Sequence, residues 1–250
     1  METAKKEVPL IDKRLSLFSQ ESLKLRRDLA YACRILAANG QNDTVYGHVT
    51  YREAGAETFW MKPSAMGLDE VTPGTLIRVD LDGNVVEGEL PRHVEFPIHA
   101  EIFRARPEIT CVVHTHPIYS IAFAATGQPL HAVSHEGAQF TPPDVPRFTR
   151  TSDLITTREL GEEVATTLGE RLACYLINHG IVVAGDTIEK AVVAAINLER
   201  ASQVQLLAST SGRPFSWSSD EDIVGKREKI FHDGMLRNVW NYYCRGIGPL

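Results

Sequence analysis

Pro117 closes a strand-like run, Thr110 to His116, in which two histidines stand two residues apart, and no other stretch restricts the chain as tightly. Successive side chains in a strand point to opposite faces, so His114 and His116 project from the same side of whatever sheet the run joins. A His-x-His pair at a strand end offers two nitrogen ligands. One more histidine brought in by the fold makes three and leaves a position open for substrate or water. Spacing by itself keeps the plainer alternative open, a pair of hydrogen-bonded histidines at a strand terminus.

The pattern around that strand alternates between strands and helices. Leu25, Leu29, Ala32, Cys33 and Leu36 recur at helical spacing between Ser22 and Ala38, with Asn39-Gly40 as the stop. Strand-like segments follow at Val45–Tyr51, Thr58–Met61 and Thr75–Asp80, and Asp82-Gly83-Asn84 forms a turn before Val85-Val86. His93 to Ala105 reads as a helix ended by Pro107, with Glu95 and His99 on one face. Residues 127–155 carry four prolines without a clear period and read as a long loop. Thr156-x-x-Glu159 and Asp186-x-x-Glu189 have the form of helix-opening caps. Between them, Ala173–Ile177 and Ile181–Ala184 form a strand pair interrupted by the turn triplet Asn178-His179-Gly180. A last helix is expected over Asp222–Tyr243. Residues 1–18 form an arm without assigned chemistry, and residues 220–250 a C-terminal helix and tail.

With 250 residues, 43% of them hydrophobic and 23% charged, one domain over residues 1–250 with a packed core is expected. The net charge of −6 speaks against a nucleic-acid partner, although Arg92, Arg147 and Arg150 could still converge on an anionic small molecule. Cys33, Cys111, Cys174 and Cys244 show no CxxC spacing, so disulfides are not expected. The charged N-terminus lacks a signal-like apolar core, and no stretch approaches the roughly 20 apolar residues of a membrane span. A cytoplasmic protein without a membrane partner is expected.

Several blocks occur together in one order: Gly47-His48-Val49-Thr50, Glu95-Phe96-Pro97-Ile98-His99, Arg106-Pro107-Glu108, Val112-Val113-His114-Thr115-His116-Pro117 and Asn178-His179-Gly180. In that combination the chain resembles the class II aldolase/adducin family over roughly residues 22–210. The resemblance implies an α/β fold, an α/β/α sandwich around a mostly antiparallel sheet. It also implies a cyclic homotetramer with active sites at subunit interfaces. By the same resemblance His114, His116 and His179 hold one divalent metal ion per subunit, with Mn2+ or Zn2+ expected and Fe2+ or Co2+ compatible with such ligands. Glu95 is then the proton-transferring carboxylate.

The chain departs from the sugar-phosphate aldolases of that family. It has Tyr46-Gly47-His48 in place of their Ser-Gly-Asn phosphate turn and His93-Val94 in place of the Ser-Ser pair before the catalytic glutamate. It also has Ala132 after His131, where they carry a tyrosine proton donor. It looks instead like the branch that decarboxylates hydroxyaromatic and hydroxypyridine carboxylic acids, in which the carboxylate is lost ortho to a ring hydroxyl. That likeness makes Glu95 or His135 the proton donor and His48, His93, Arg147 and Arg150 substrate-binding residues for an anionic small molecule. Phe140 and Phe148 are either an aromatic wall or core, and Trp240-Asn241-Tyr242-Tyr243 resembles a helix docking on a neighbouring subunit. Three other readings stand beside it: an aldolase or epimerase of a hydroxy-carbonyl compound, an iron-dependent oxygenase, and a non-catalytic adducin-head-like module.

Overall fold

The computed structural model describes residues 20–250; the expected N-terminal arm lies outside them. Helix α1 (Gln20–Leu36) leads through a wide turn to β1 (His48–Tyr51), β2 (Thr58–Met61), β3 (Ile77–Asp80) and β4 (Val85–Glu87). Then come α2 (Phe96–Ala105), β5 (Cys111–Thr115), α3 (Ile118–Ala125), β6 (Arg147–Phe148), α4 (Arg158–Leu168), β7 (Ala173–Leu176) and β8 (Gly180–Gly185). Three helices close the chain: α5 (Ile188–Ser209), α6 (Asp220–Ile230) and α7 (Asp233–Ile247). The strands form one sheet in the order β4-β3-β2-β1-β5-β8-β7-β6. Every pairing is antiparallel except β6 with β7.

Strand alternation divides the buried side chains between two cores. Val49, Trp60, Cys111, Val113, Tyr175, Ile181 and Val183 pack with α1 and α5 on one face. Phe59, Met61, Ile77, Val79, Val112, Cys174, Leu176, Val182 and Ala184 pack with Ile98 and Ile102 of α2 and with Val164 and Leu168 of α4 on the other. Strands β5 and β8 are buried along their whole length, because helices cover both sides of the sheet. This is the expected α/β/α sandwich. All four cysteines are free. Among the described residues no helix is long and apolar enough to cross a membrane.

Several local expectations shift. The first strand begins at His48 rather than Val45, which is exposed. The caps sit one residue later than read: Thr157 accepts from the Leu160 N–H and Thr187 from the Lys190 N–H, so the hydroxyl beside each expected cap takes the orphan donor. The helix read from His93 starts at Phe96, with Glu95 at its N-cap position. The segment expected as a single C-terminal helix breaks at Phe231-His232, where His232 caps α7. Residues 127–155 include a short 3-10 turn, Glu136–Gln139, and the edge strand β6. Helix α3 is apolar nearly all round and gives no amphipathic period to read.

Candidate metal centre

Strand parity assembles the site on the α2 face of the sheet. His48 of β1 lies opposite His114 of β5, and Thr50 opposite Val112, so the two histidines share the face to which Val112 belongs. Glu95 arrives from the N-terminus of α2. His116 follows the last residue of β5, and His179 sits in the β7–β8 hairpin, where Asn178 takes a positive φ of 56°. Gly180 is required for close approach, since a Cβ there would stand 2.4 Å from the Thr115 carbonyl oxygen and 2.9 Å from the His116 ring.

Glu95, His114, His116 and His179 each offer one ligand atom, and those atoms lie within 4.8 Å of one another. Glu95 Oε2 is 3.7 Å from His114 Nε2 and 3.8 Å from His48 Nε2, while Oε1 is 3.6 Å from His179 Nε2. The Ile155 N–H donates to Oε1 at 2.8 Å. The hydrogen bonds at the back of the rings decide which nitrogens face inward. His114 Nδ1–H donates to the Ile181 carbonyl at 2.9 Å, and His116 Nδ1–H to the Asp43 carboxylate at 3.0 Å. Each neutral ring therefore keeps its lone pair on Nε2.

The residues present fit a metal ion. The Nε2 atoms of His114 and His116 stand 3.1 Å apart, close to the roughly 3.3 Å that separates two nitrogens on one tetrahedral ion. Without a cation, two lone pairs would face each other there. Both ring nitrogens of His179 are buried and have no hydrogen-bond partner, an unfavourable arrangement for polar atoms. Burial pushes the rings toward neutrality: His114 falls well below the usual histidine range, and His179 to about 4. Neutral imidazole is the form that binds metal. Burial also raises the Glu95 carboxyl, against the Ile155 N–H that lowers it.

The other residues singled out from the sequence divide into two groups. His48 and His93 adjoin the cluster with ring centroids 4.4 Å apart; His93 Nε2–H donates to the Pro63 carbonyl at 3.2 Å. His135 is exposed and precedes the 3-10 turn. Arg147 donates to the Asp144 carboxylate at 2.7 Å and to the Val145 and Gln128 carbonyls, and Arg150 pairs with Glu163 at 3.6 Å. These bonds engage both arginines outside the four-residue cluster. His131 stacks on Trp217, and Ala132 is buried with Ala138 and Ile223. Phe140 and Phe148 pack in the cores, as does Trp240.

Sequence reasoning passed over Asp43, Ile155 and Asp153. The charge of Asp153 raises the pKa of both Glu95 and His179. For Asp43 the only signal was its position in the polar turn ahead of Gly47-His48. Four apolar chain neighbours of site residues are exposed: Tyr46, Val94, Ile118 and Leu154. The Tyr46 ring lies 6.5 Å from that of His116.

The family model described as Class II Aldolase and Adducin N-terminal domain matches residues 27–206. The chain is 35% identical over 196 residues to the decarboxylase NovR of Streptomyces niveus, covering 77% of this chain and 72% of that one. It is 31% identical over 211 residues to a 3,4-dihydroxyphthalate decarboxylase of Arthrobacter keyseri, covering 80% and 84%. Among solved structures, the L-fuculose 1-phosphate aldolase of Glaciozyma antarctica superposes with a TM-score of 0.79 at 30% identity, covering 91% of this chain and 89% of that one.

Proposed function

The chain belongs to the class II aldolase and adducin family, whose relatives here are carbon–carbon lyases, and from that premise we propose that it decarboxylates a hydroxylated aromatic or heteroaromatic acid. The carboxylate lost is ortho to a ring hydroxyl. One observation carries the choice over a sugar-phosphate aldolase. The positions matching that group's phosphate cradle hold imidazoles bonded inside the protein, His48 to His99 and His93 to Pro63, and the exposed isopropyl of Val94. A phosphate needs donors that these side chains do not present. The exposed apolar side chains of Tyr46, Val94, Ile118 and Leu154, near site residues in the chain, suit a planar ring better than a polyhydroxylated chain. The buried Ala132, where the aldolases of the family have a tyrosine, supports the same choice.

In this proposal His114, His116 and His179 hold one divalent ion, and Asp43 and the Ile181 carbonyl orient two of the rings. When bound, the ion would supply Lewis-acid stabilisation of the negative charge that develops on the ring oxygen as the carbon–carbon bond breaks. Glu95, whose burial favours the protonated form, gives its proton to the ring carbon that bears the carboxylate. The carbon–carbon bond then breaks, its electron pair returns to the ring, and carbon dioxide leaves. Glu95 is assigned this step in preference to His135 because Glu95 lies within the cluster. Its Ile155 N–H partner stabilises the carboxylate left behind. His48 and His93 line the substrate side; Arg147 and Arg150, engaged elsewhere, take no part in it. The homotetramer with sites between subunits belongs to the same proposal.

The test is carbon dioxide release from matched ortho- and meta-hydroxy aromatic acids by the metal-loaded protein, with identification of the ring product. Turnover of the ortho isomer alone is expected. Equal turnover of both isomers removes the ortho requirement, and cleavage of a sugar phosphate with no aromatic activity returns the chain to the aldolases.

A further inference from the structure

From the cluster a second set of side chains runs inward. His48, Thr50 and His99 are buried at 2%, 0% and 0% exposure, so a polar atom that does not reach the site must find its partner within the protein. His48 Nδ1 lies 2.6 Å from His99 Nε2, and His99 Nδ1 lies 2.7 Å from Thr50 Oγ1. Thr50 Oγ1 donates to the Val112 carbonyl, 3.4 Å away.

That final carbonyl offers a direction for the whole chain. A carbonyl has no proton to give, so if the single hydroxyl proton of Thr50 goes to it, Thr50 Oγ1 accepts from His99 Nδ1–H, and the direction of the chain is an inference from that choice. A neutral ring protonated at Nδ1 has a lone pair at Nε2, which accepts from His48 Nδ1–H. His48 in turn keeps a lone pair on Nε2, the atom that lies 3.8 Å from Glu95 Oε2. Burial disfavours charge on both rings and lowers His99 to about 3.

We propose that Thr50 and His99 are positioning residues that hold His48 in its Nδ1–H tautomer, so that Nε2 faces the site as the acceptor for the substrate's ring hydroxyl. This rests on the reading of the site as one for a hydroxylated acid. The specificity that follows is for a hydroxyl still carrying its proton. An ether oxygen at that position meets a lone pair and loses the bond, whereas the opposite tautomer would present a donor and tolerate it.

The experiment uses full-length, zinc-loaded protein labelled with 15N at histidine. Long-range 1H–15N correlation reads the tautomers, with signals assigned through His48→Gln and His99→Gln. Both rings should be protonated at Nδ1 and bare at Nε2. Thr50→Val keeps the shape and removes the hydroxyl, and should shift both rings toward the other tautomer; Thr50→Ser should restore the wild-type spectrum. Calorimetry with 2-hydroxybenzoate and 2-methoxybenzoate should show the hydroxy acid binding roughly tenfold more tightly, the worth of one hydrogen bond. That preference should shrink in Thr50→Val and persist in Thr50→Ser. Protonation of His48 at Nε2 in the wild type overturns the proposal whether or not Thr50→Val folds, as do unchanged tautomers in a folded Thr50→Val. Equal binding of the two acids, or binding of neither, overturns the acceptor role. If the tautomers are as stated but no aromatic acid loses carbon dioxide, the proposed reaction fails while the tautomer arrangement stands.

Discussion

His116 Nδ1–H donates to the Asp43 carboxylate across 3.0 Å, which ties the back of an inward-facing ring to the turn that precedes β1. A carboxylate in that position fixes the tautomer and orientation of the ring. Asp43→Ala is therefore expected to lower zinc affinity by about 10–100-fold, with little change in the melting temperature of the metal-free protein because the Asp43 side chain is about half exposed. Competition against a chelating dye reads the affinity. An unchanged value would show that the loop orients nothing.

His116→Ala should leave a folded protein that no longer holds stoichiometric metal, since two remaining nitrogen ligands bind far more weakly than three. His114→Ala and His179→Ala are expected to behave alike. Elemental analysis after gel filtration is the measurement, and full occupancy in any one variant takes that histidine out of the ligand set. In His179→Ala the removal of two buried, unpartnered nitrogens should raise the stability of the metal-free protein by about 1–3 kcal/mol, less the cost of the cavity.

Glu95→Gln keeps the size of the side chain and an oxygen able to accept from the Ile155 N–H, but it has no acidic proton to transfer. Metal content should be retained, and turnover should fall by about a hundredfold or more. Loss of metal together with activity would make Glu95 a ligand in the resting protein.

His99 gives a pH dependence whose sign follows from its burial. Its folded-state value is about 3 against an ordinary 6.5, so between those limits the unfolded chain binds a proton that the folded chain does not. Stability is complete above about pH 6.5 and is lost as pH falls toward 3, by up to about 1.4 kcal/mol per pH unit for this one group. Urea unfolding of metal-free protein at pH 7 and pH 5 should show a decline about 2 kcal/mol smaller in His99→Gln than in the wild type. Equal declines would mean that His99 is already protonated in the folded state.

Whatever repeats locally along the chain is legible in the order of its residues. The two-residue spacing of His114 and His116 put both rings on one face because strand side chains alternate, and Asn178-His179-Gly180 made a turn because its residues tolerate the backbone required. Ordered blocks of residues were enough to recognise the family. Local pattern was less decisive where two neighbouring residues could do the same task, as with the caps at Thr157 and Thr187. It also missed α3, whose apolar surface has no period, and the break at His232. Which distant groups meet depends on the packing in three dimensions. Asp43 reaches His116, Ile155 reaches Glu95 and His99 reaches His48, while Arg147 is taken up by Asp144 and nearby carbonyls. Such contacts depend on how helices pack across both faces of the sheet, and the Val112 carbonyl beside Thr50 is a backbone group that no side-chain pattern announces.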